Sequence, residues 1–343
     1  RSWHPSRKIV QTKKIKSLDL LCFSFPFYPV NNNFITGLQL FFYQLFMRFF
    51  LGKLLKQQDI IHSVGASFSG VVGGYLSAKL DKPHIAQCIG TDINATLPHK
   101  KNSYFYSVMK KHVDIYTTNS FALEQQVNKI YPAATVQTIY RGVNLDFFTS
   151  DNVTAHNDKI IFAFIGGLSY REEHSAGRDY KGGITLLKAW QALNNYSRAE
   201  LHFAGPDVTG ELVEDILEQD PKLLNINVTP YLDRNAVKNL FELADVVVIP
   251  SWMEGLPNAG MEAMASSCAL LGTNVGGIPE LISNNNGYLF EPGNSEALAT
   301  LMQQMIADPD CLRLLKKNSR TLALNAFESK QFPRLYRELY EKL

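Results

Sequence analysis

The feature that most constrains this chain is the run Asp245-Val-Val-Val-Ile249. It is short, apolar and β-branched, the pattern of a strand buried on both faces; such strands belong to parallel sheets covered by helices on either side. Pro250 and Ser251 end the run, and Pro257 is expected inside the first turn of a following helix, where a missing N–H costs nothing. On that helix Met261, Met264 and Ala265 form a packing face, while Asn258 and Glu262 share another. One carboxylate, Glu254, is therefore expected on the loop and a second, Glu262, on the helix. The helix N-terminus between them offers free backbone N–H groups and a positive dipole end, which suit a phosphate. Carboxylates are poor partners for phosphate but accept hydrogen bonds from sugar hydroxyls, so the stretch reads as a site for a phosphorylated sugar.

The same strand–helix rhythm runs through the rest of the chain. Strands are expected at 18–25, 59–64, 84–88, 113–118 and 135–139, with helices at 34–57, 65–80 and 121–130. Arg141-Gly-Val-Asn-Leu-Asp-Phe-Phe148, followed by a polar stretch to Asp158, reads as an interdomain linker. Strands then recur at 159–165, 200–204, 245–249 and 268–274. Helices are expected at 182–194, 211–218 and 235–243, one opens near Gly276, and the tail from Ser295 is helical in three pieces. The expected fold class is α/β: two Rossmann-like, doubly wound domains facing a cleft, with the N-terminal domain expected to be incomplete. The divisions fall at residues 1–148, 149–326 and a C-terminal helix at 327–343, which is a candidate to pack back on the first domain. Ligands of such sheets bind at the carboxyl ends of the strands, so the cleft is the default site.

Composition excludes several classes. With 343 residues the chain is comfortable for two domains. A net charge of +2 argues against a nucleic-acid partner. Cys22, Cys88, Cys268 and Cys311 lie far apart, without metal or redox spacing, which fits a reducing compartment and a cytoplasmic location. Gly65, Gly70, Gly73 and Gly74 do not have dinucleotide-fingerprint spacing, and no phosphate-loop Lys-Ser/Thr follows them. Prolines and asparagines break the uncharged stretch 20–47, so it is not a membrane span. The Phe- and Leu-rich helix within it reads as packed on a sheet; a lipid-touching surface with Lys53 and Lys56 beside it, and hence a peripheral membrane contact, is the alternative.

Lys181, just before Gly182-Gly183 and a helix, can neutralise a diphosphate as a point charge, and the loop before it carries Arg171 and Arg178. Glu254 and Glu262, with seven residues between them, resemble the Glu-x7-Glu motif of retaining glycosyltransferases of family 4, which have the GT-B fold. The surroundings are similar too: Ile165-Gly-Gly167, Leu201-His-Phe-Ala-Gly205, Gly276-Gly277-Ile-Pro-Glu280 and Gly287-Tyr-Leu-Phe290 in the second half; Asp59-Ile-Ile-His62, Gly90-Thr-Asp92 and the Arg141 stretch in the first. The resemblance implies that Glu254 touches the hydroxyls of the transferred sugar, with the backbone of Gly255, Leu256, Pro257 and Asn258 near sugar and phosphate. It implies that Glu262 holds the nucleotide ribose, that Lys181 and an arginine (Arg178 is the expectation) carry the diphosphate, and that Gly90 and Asp92 lie on the acceptor side. The implied reaction moves a hexose-type sugar from a nucleotide-diphosphate sugar to a saccharide or lipid-linked acceptor with retention. It needs no metal and no cofactor beyond the donor. In keeping with it, the chain offers no persuasive nucleophile–base constellation.

Two departures bear on this. Ile89 stands where the family often has His, and His62 and His112 read as structural. The chain begins at Arg1, and no glycine appears before Gly37, whereas a first GT-B domain opens with a strand and a Gly-rich loop. The expectation is that at least one βα unit precedes this chain in the native protein, and that activity depends on it. A sugar-nucleotide epimerase of the same fold, or a non-catalytic nucleotide-sugar or saccharide binder, are the competing readings.

Overall fold

A computed structural model describes residues 10–15, 18–23, 33–90, 92–96, 104–149, 159–166, 168, 179–194, 196–205, 225–283 and 285–343. The apolar run at 245–249 becomes β10 (Val246–Ile249) in the middle of a six-stranded parallel sheet. Its companions are β7 (Ile160–Ile165), β8 (Ala199–Ala204), β9 (Ile226–Thr229), β11 (Ala269–Thr273) and β12 (Gly287–Phe290), in the order β12-β11-β10-β7-β8-β9. Successive side chains of a strand point to opposite faces, and β10 serves two cores accordingly. Val246 and Val248 pack with Phe162, Phe203 and Trp190, under α5 (Gly183–Gln191), α9 (Ser295–Ala307) and α10 (Pro309–Ala326). Val247 and Ile249 pack with Phe241, Met261 and Leu281, from α6 (Arg234–Leu243), α7 (Asn258–Ala265) and α8 (Ile278–Leu281). The order reverses between β7 and β10, and that switch point opens a crevice beyond their carboxyl ends.

The first domain holds a four-stranded parallel sheet in sequential order: β3 (Ile61–Val64), β4 (His84–Gln87), β5 (Ile115–Thr118) and β6 (Val136–Thr138). One face is covered by α2 (Phe68–Leu80), α3 (Tyr104–His112) and α4 (Phe121–Ile130) through Val71, Met109, Leu123 and Val127. The other is covered from the far end of the chain. Tyr336 and Leu339 of α11 (Gln331–Tyr340) pack on Ile85 and Ile139. The Tyr336 hydroxyl lies 2.9 Å from Thr117 Oγ1, and that of Tyr340 lies 2.7 Å from His62 Nδ1.

The strand expected at 18–25 does not open the parallel sheet. It is β2 (Leu18–Phe23), paired antiparallel with β1 (Val10–Ile15) in a separate two-stranded sheet. A two-residue connection permits only antiparallel pairing, because a parallel crossover needs a dozen residues or more. The helix expected at 34–57 is α1 (Asn33–Lys56). Tyr43 and Met47 pack on the first-domain core, while Leu38, Phe41, Phe42 and Phe49 are exposed. Among the described residues no helix is long and apolar enough to cross a membrane. The linker belongs physically to the second domain: Val143 and Phe148 enter its core, and Val143 pairs with Glu328. Residues 211–218, expected as a helix, lie outside the described residues.

Candidate functional site

Glu254 sits on the loop between β10 and α7, held by two glycines from other parts of the second domain. A Cβ on Gly182 would fall 1.9 Å from the Pro250 carbonyl oxygen, where β10 ends. A Cβ on Gly276 would fall 2.0 Å from the Glu254 carbonyl oxygen, and Gly276 has φ +53°. Only glycine allows both the approach and the left-handed backbone. Gly277 N–H donates to the Gly255 carbonyl at 2.6 Å, and Trp252 N–H to that of Tyr180 at 3.1 Å. Two chain segments, 180–182 and 276–277, therefore fix the Glu254 loop. Its carboxylate forms an ion pair with Lys181 Nζ, and the Ser251 hydroxyl lies 3.5 Å away.

Lys181 is positioned by Asp179, a residue with no role expected from the sequence. The Asp179 carboxylate is buried at the N-terminus of α5 and accepts from Ile184 N–H at 2.8 Å and Lys181 N–H at 3.2 Å. Burial raises its pKa above the usual carboxylate value, and the backbone N–H groups of Ile184, Lys181, Gly182 and Gly183 partly offset that. The available signal was an aspartate just ahead of a Gly-Gly helix start, a place where side-chain oxygens satisfy free N–H groups.

Lys181, Glu254, Leu256, Pro257 and Asn258 line one cavity of about 650 Å³, which first-domain residues including Gln87, Ile89 and Asn119 close from the opposite side. Gly255 lies against the first domain, where an added Cβ would be 3.3 Å from Asn119 Oδ1 and 3.5 Å from the Ile89 carbonyl oxygen. Glu262 does not share this cavity. It lines an adjoining one of about 430 Å³ with Arg141, Asn144, Arg234, Asn258 and Ser329. Burial raises the Glu262 pKa above the ordinary value, and Arg234 and Arg141 pull it back. Pro257 precedes α7 instead of entering its first turn: with φ −72° and ψ 121° its carbonyl accepts from Gly260 N–H at 3.1 Å.

On the first-domain side, Gly90 faces the Glu254 loop, since its Cβ would stand 3.6 Å from Gly255 Cα. Asp92 is different from the expectation. Its carboxylate is 4 % exposed and turned inward, accepting N–H groups from Ala66 (2.5 Å), Ile89 (3.1 Å), Gly90 (2.9 Å) and Ile93 (3.0 Å). A carboxylate saturated by four backbone donors shapes its loop and has no lone pair to offer a ligand. Arg171 and Arg178 lie outside the described residues. Glu280 is a further residue with no role expected from the sequence. It reaches across from α8 to accept from the N–H groups of Phe121 (3.0 Å) and Ala122 (2.9 Å) at the start of α4, and from the Tyr140 hydroxyl (2.8 Å). Among the described residues no group of three or more His, Cys, Asp or Glu is arranged to hold a metal.

Comparison with known proteins agrees with this architecture. The chain is 26% identical over 205 residues to an uncharacterized glycosyltransferase of Methanocaldococcus jannaschii, covering 56% of this chain and 50% of that one. It is 30% identical over 189 residues to an N-acetyl-alpha-D-glucosaminyl L-malate synthase of Bacillus anthracis, covering 47% and 50%. The chain thus spans about half the length of these curated relatives. Its fold superposes on sucrose-phosphate synthase of Thermosynechococcus elongatus with a TM-score of 0.73 at 18% identity, covering 99% of this chain and 87% of that one. It superposes on Anabaena HepE in complex with UDP-glucose with a TM-score of 0.70 at 16% identity, covering 90% and 84%. The two-domain fold is therefore GT-B. The model of the family described as glycosyl transferases group 1 matches residues 151–322, half of the chain and the whole of the sheet that carries Lys181, Glu254 and Glu262, and the chain belongs to that family.

Proposed function

We propose that this protein transfers a hexose-type sugar from a nucleotide-diphosphate sugar to a saccharide or lipid-linked hydroxyl, with retention at the anomeric carbon. The observation that carries the reading is the pairing of Lys181 with Glu254 at the cleft, one cavity away from Glu262. A donor lying along α7 would put its sugar at Glu254 and its ribose at Glu262. In the reaction the bond from the anomeric carbon to the diphosphate oxygen breaks, and its electron pair leaves with the diphosphate. The acceptor oxygen bonds to the same carbon on the same face, and its proton passes to the leaving diphosphate. Lys181 would stabilise the charge that develops there, a term that fixed cations supply without reorganisation. Glu254, released from Lys181 by the incoming diphosphate, would be free to accept from sugar hydroxyls. The chemistry calls for no metal.

A lipid-linked acceptor would bring the first domain to the cytoplasmic face of a membrane. The exposed Leu38, Phe41, Phe42 and Phe49 on a helix without acidic residues support that placement. The test is a screen of nucleotide sugars with candidate acceptors. Release of nucleoside diphosphate only when acceptor is present is the expected result. An epimerised donor, or binding without turnover, would overturn it. Within the same assay Glu254→Gln should lower turnover by more than it lowers donor affinity, and Glu262→Ala should weaken donor binding. Wild-type behaviour of both variants would remove the site assignment.

A further inference from the structure

We propose that Arg141, on the segment joining the two domains, is a cation for the donor diphosphate; this rests on the nucleotide-sugar reading above. Three residues line both the Glu254 cavity and the Glu262 cavity: Arg141, Asn258 and Phe332. Arg141 is the charged one. A ligand with its sugar at Glu254 and its ribose at Glu262 must carry its diphosphate through that junction, since the diphosphate is what connects the two.

The arginine is held in place by its neighbours on both sides. Before it, the Tyr140 hydroxyl donates to Glu280 at 2.8 Å. After it, Gly142 has φ +67°, and a Cβ there would fall 2.8 Å from the Phe327 carbonyl oxygen and from Ser329 N. Val143 N–H donates to the Phe327 carbonyl at 2.7 Å, and Ser329 N–H returns a bond to the Val143 carbonyl at 3.0 Å. The Arg141 backbone is thus fixed before any ligand arrives, so less ordering remains to be done on binding. Its side chain is exposed, and among the described residues no carboxylate lies within ion-pair distance of it, whereas Lys181 is engaged by Glu254. The field of Arg141 reaches Glu262, lowering that carboxyl against the effect of burial. The two cations are also chemically distinct: a guanidinium can hold two phosphate oxygens at once in a planar fork, while an ammonium acts as a point charge. Lys181 then serves the phosphate next to the sugar, and Arg141 the phosphate next to the ribose.

The experiment is calorimetric titration of the full chain with UDP, GDP and ADP, repeated for Arg141→Gln, Arg141→Lys, and Arg198→Gln as a control on an exposed arginine elsewhere in the second domain. With the diphosphate that the wild type binds best, Arg141→Gln should lose about tenfold in affinity, the scale of a charge-assisted hydrogen bond. The salt dependence of binding should flatten, Arg141→Lys should recover part of the loss, and Arg198→Gln should match wild type. A thermal melt equal to that of wild type checks that each variant is folded. Should Arg141→Gln bind within twofold of wild type, or Arg198→Gln lose as much as it does, the assignment of Arg141 falls while the nucleotide-sugar reading stands. Should the wild type bind none of the three diphosphates, that reading falls and the assignment with it.

Discussion

Two loops face each other across the cleft, and they are built on opposite principles. In the first domain, the backbone of Ile89, Gly90 and Ile93, with that of Ala66, surrounds a buried anion, the Asp92 carboxylate, which gathers their four N–H groups. In the second domain, the Glu254 loop contains a carboxylate that points into the cavity, and its backbone is fixed by glycines that let neighbouring chain come within reach. The acidic residue is scaffold in one loop and cavity-facing group in the other. An acidic residue near the carboxyl end of a parallel strand is therefore not enough to mark a site. What distinguishes the two is whether backbone donors have already consumed the carboxylate.

The largest effect that would break this contrast is on the glycine side. In Gly276→Ala the new Cβ meets the Glu254 carbonyl oxygen at 2.0 Å in a left-handed backbone. Left-handed strain costs about 1–2 kcal/mol and overpacking about 1–3 kcal/mol, so a loss of about 2–5 kcal/mol is expected. Thermal or urea unfolding measures it, and nucleoside-diphosphate titration should show donor affinity falling with it. Unchanged stability would mean that the glycine clamp does not hold the loop. The next effect is on the carboxylate side. Asp92→Asn exchanges one acceptor oxygen for an NH2 group that must face backbone donors, and about 2–3 kcal/mol should be lost, as for a buried charged acceptor. Amide exchange should rise at Ala66, Ile89, Gly90 and Ile93 and acceptor KM should increase, with donor affinity unchanged. If donor affinity moved as far as acceptor KM, the two loops would not be separable.

These cases also show how much could be read from sequence. The strand–loop–helix around Glu254 was legible because burial on both faces leaves a continuous β-branched run, and the place of Glu254 on the loop that follows came with it. The alternation of elements in both halves was legible for the same reason, although β1, α3, β9 and β12 were missed, β9 because Ile226–Thr229 is a half-buried edge strand with one strongly apolar side. Contacts made between distant segments were not legible. Nothing local to Asp92 says that Ala66 N–H will meet it, and nothing local to Glu280 says that it will cap α4 in the other domain. Arg141 read as linker because its neighbourhood is polar; its value comes from where Gly142, Phe327 and Ser329 fix it.

Asp179 sharpens the comparison most finely, since it joins features of both loops: a buried carboxylate that collects N–H groups, on the Lys181 side of the cleft. Here burial outweighs the donors, and the folded-state pKa lies above the ordinary 3.8. A carboxyl whose pKa is raised by folding binds its proton more readily in the folded protein. Its contribution to stability is therefore fully present below the unfolded value and is lost as pH rises through the folded value. Compared with Asp179→Asn, which cannot titrate, the wild type should gain stability as pH falls from neutral through the raised value, and gain nothing further below about 3.8. At neutral pH the two proteins should differ by about 1 kcal/mol or less, the net worth of an ordinary hydrogen bond. Paired urea melts from pH 7 down to the acid limit of folding would read the difference. A wild type that instead loses stability relative to the variant as pH falls would show the backbone donors outweighing burial, and would place Asp179 with Asp92 as a carboxylate that its loop requires in the charged form.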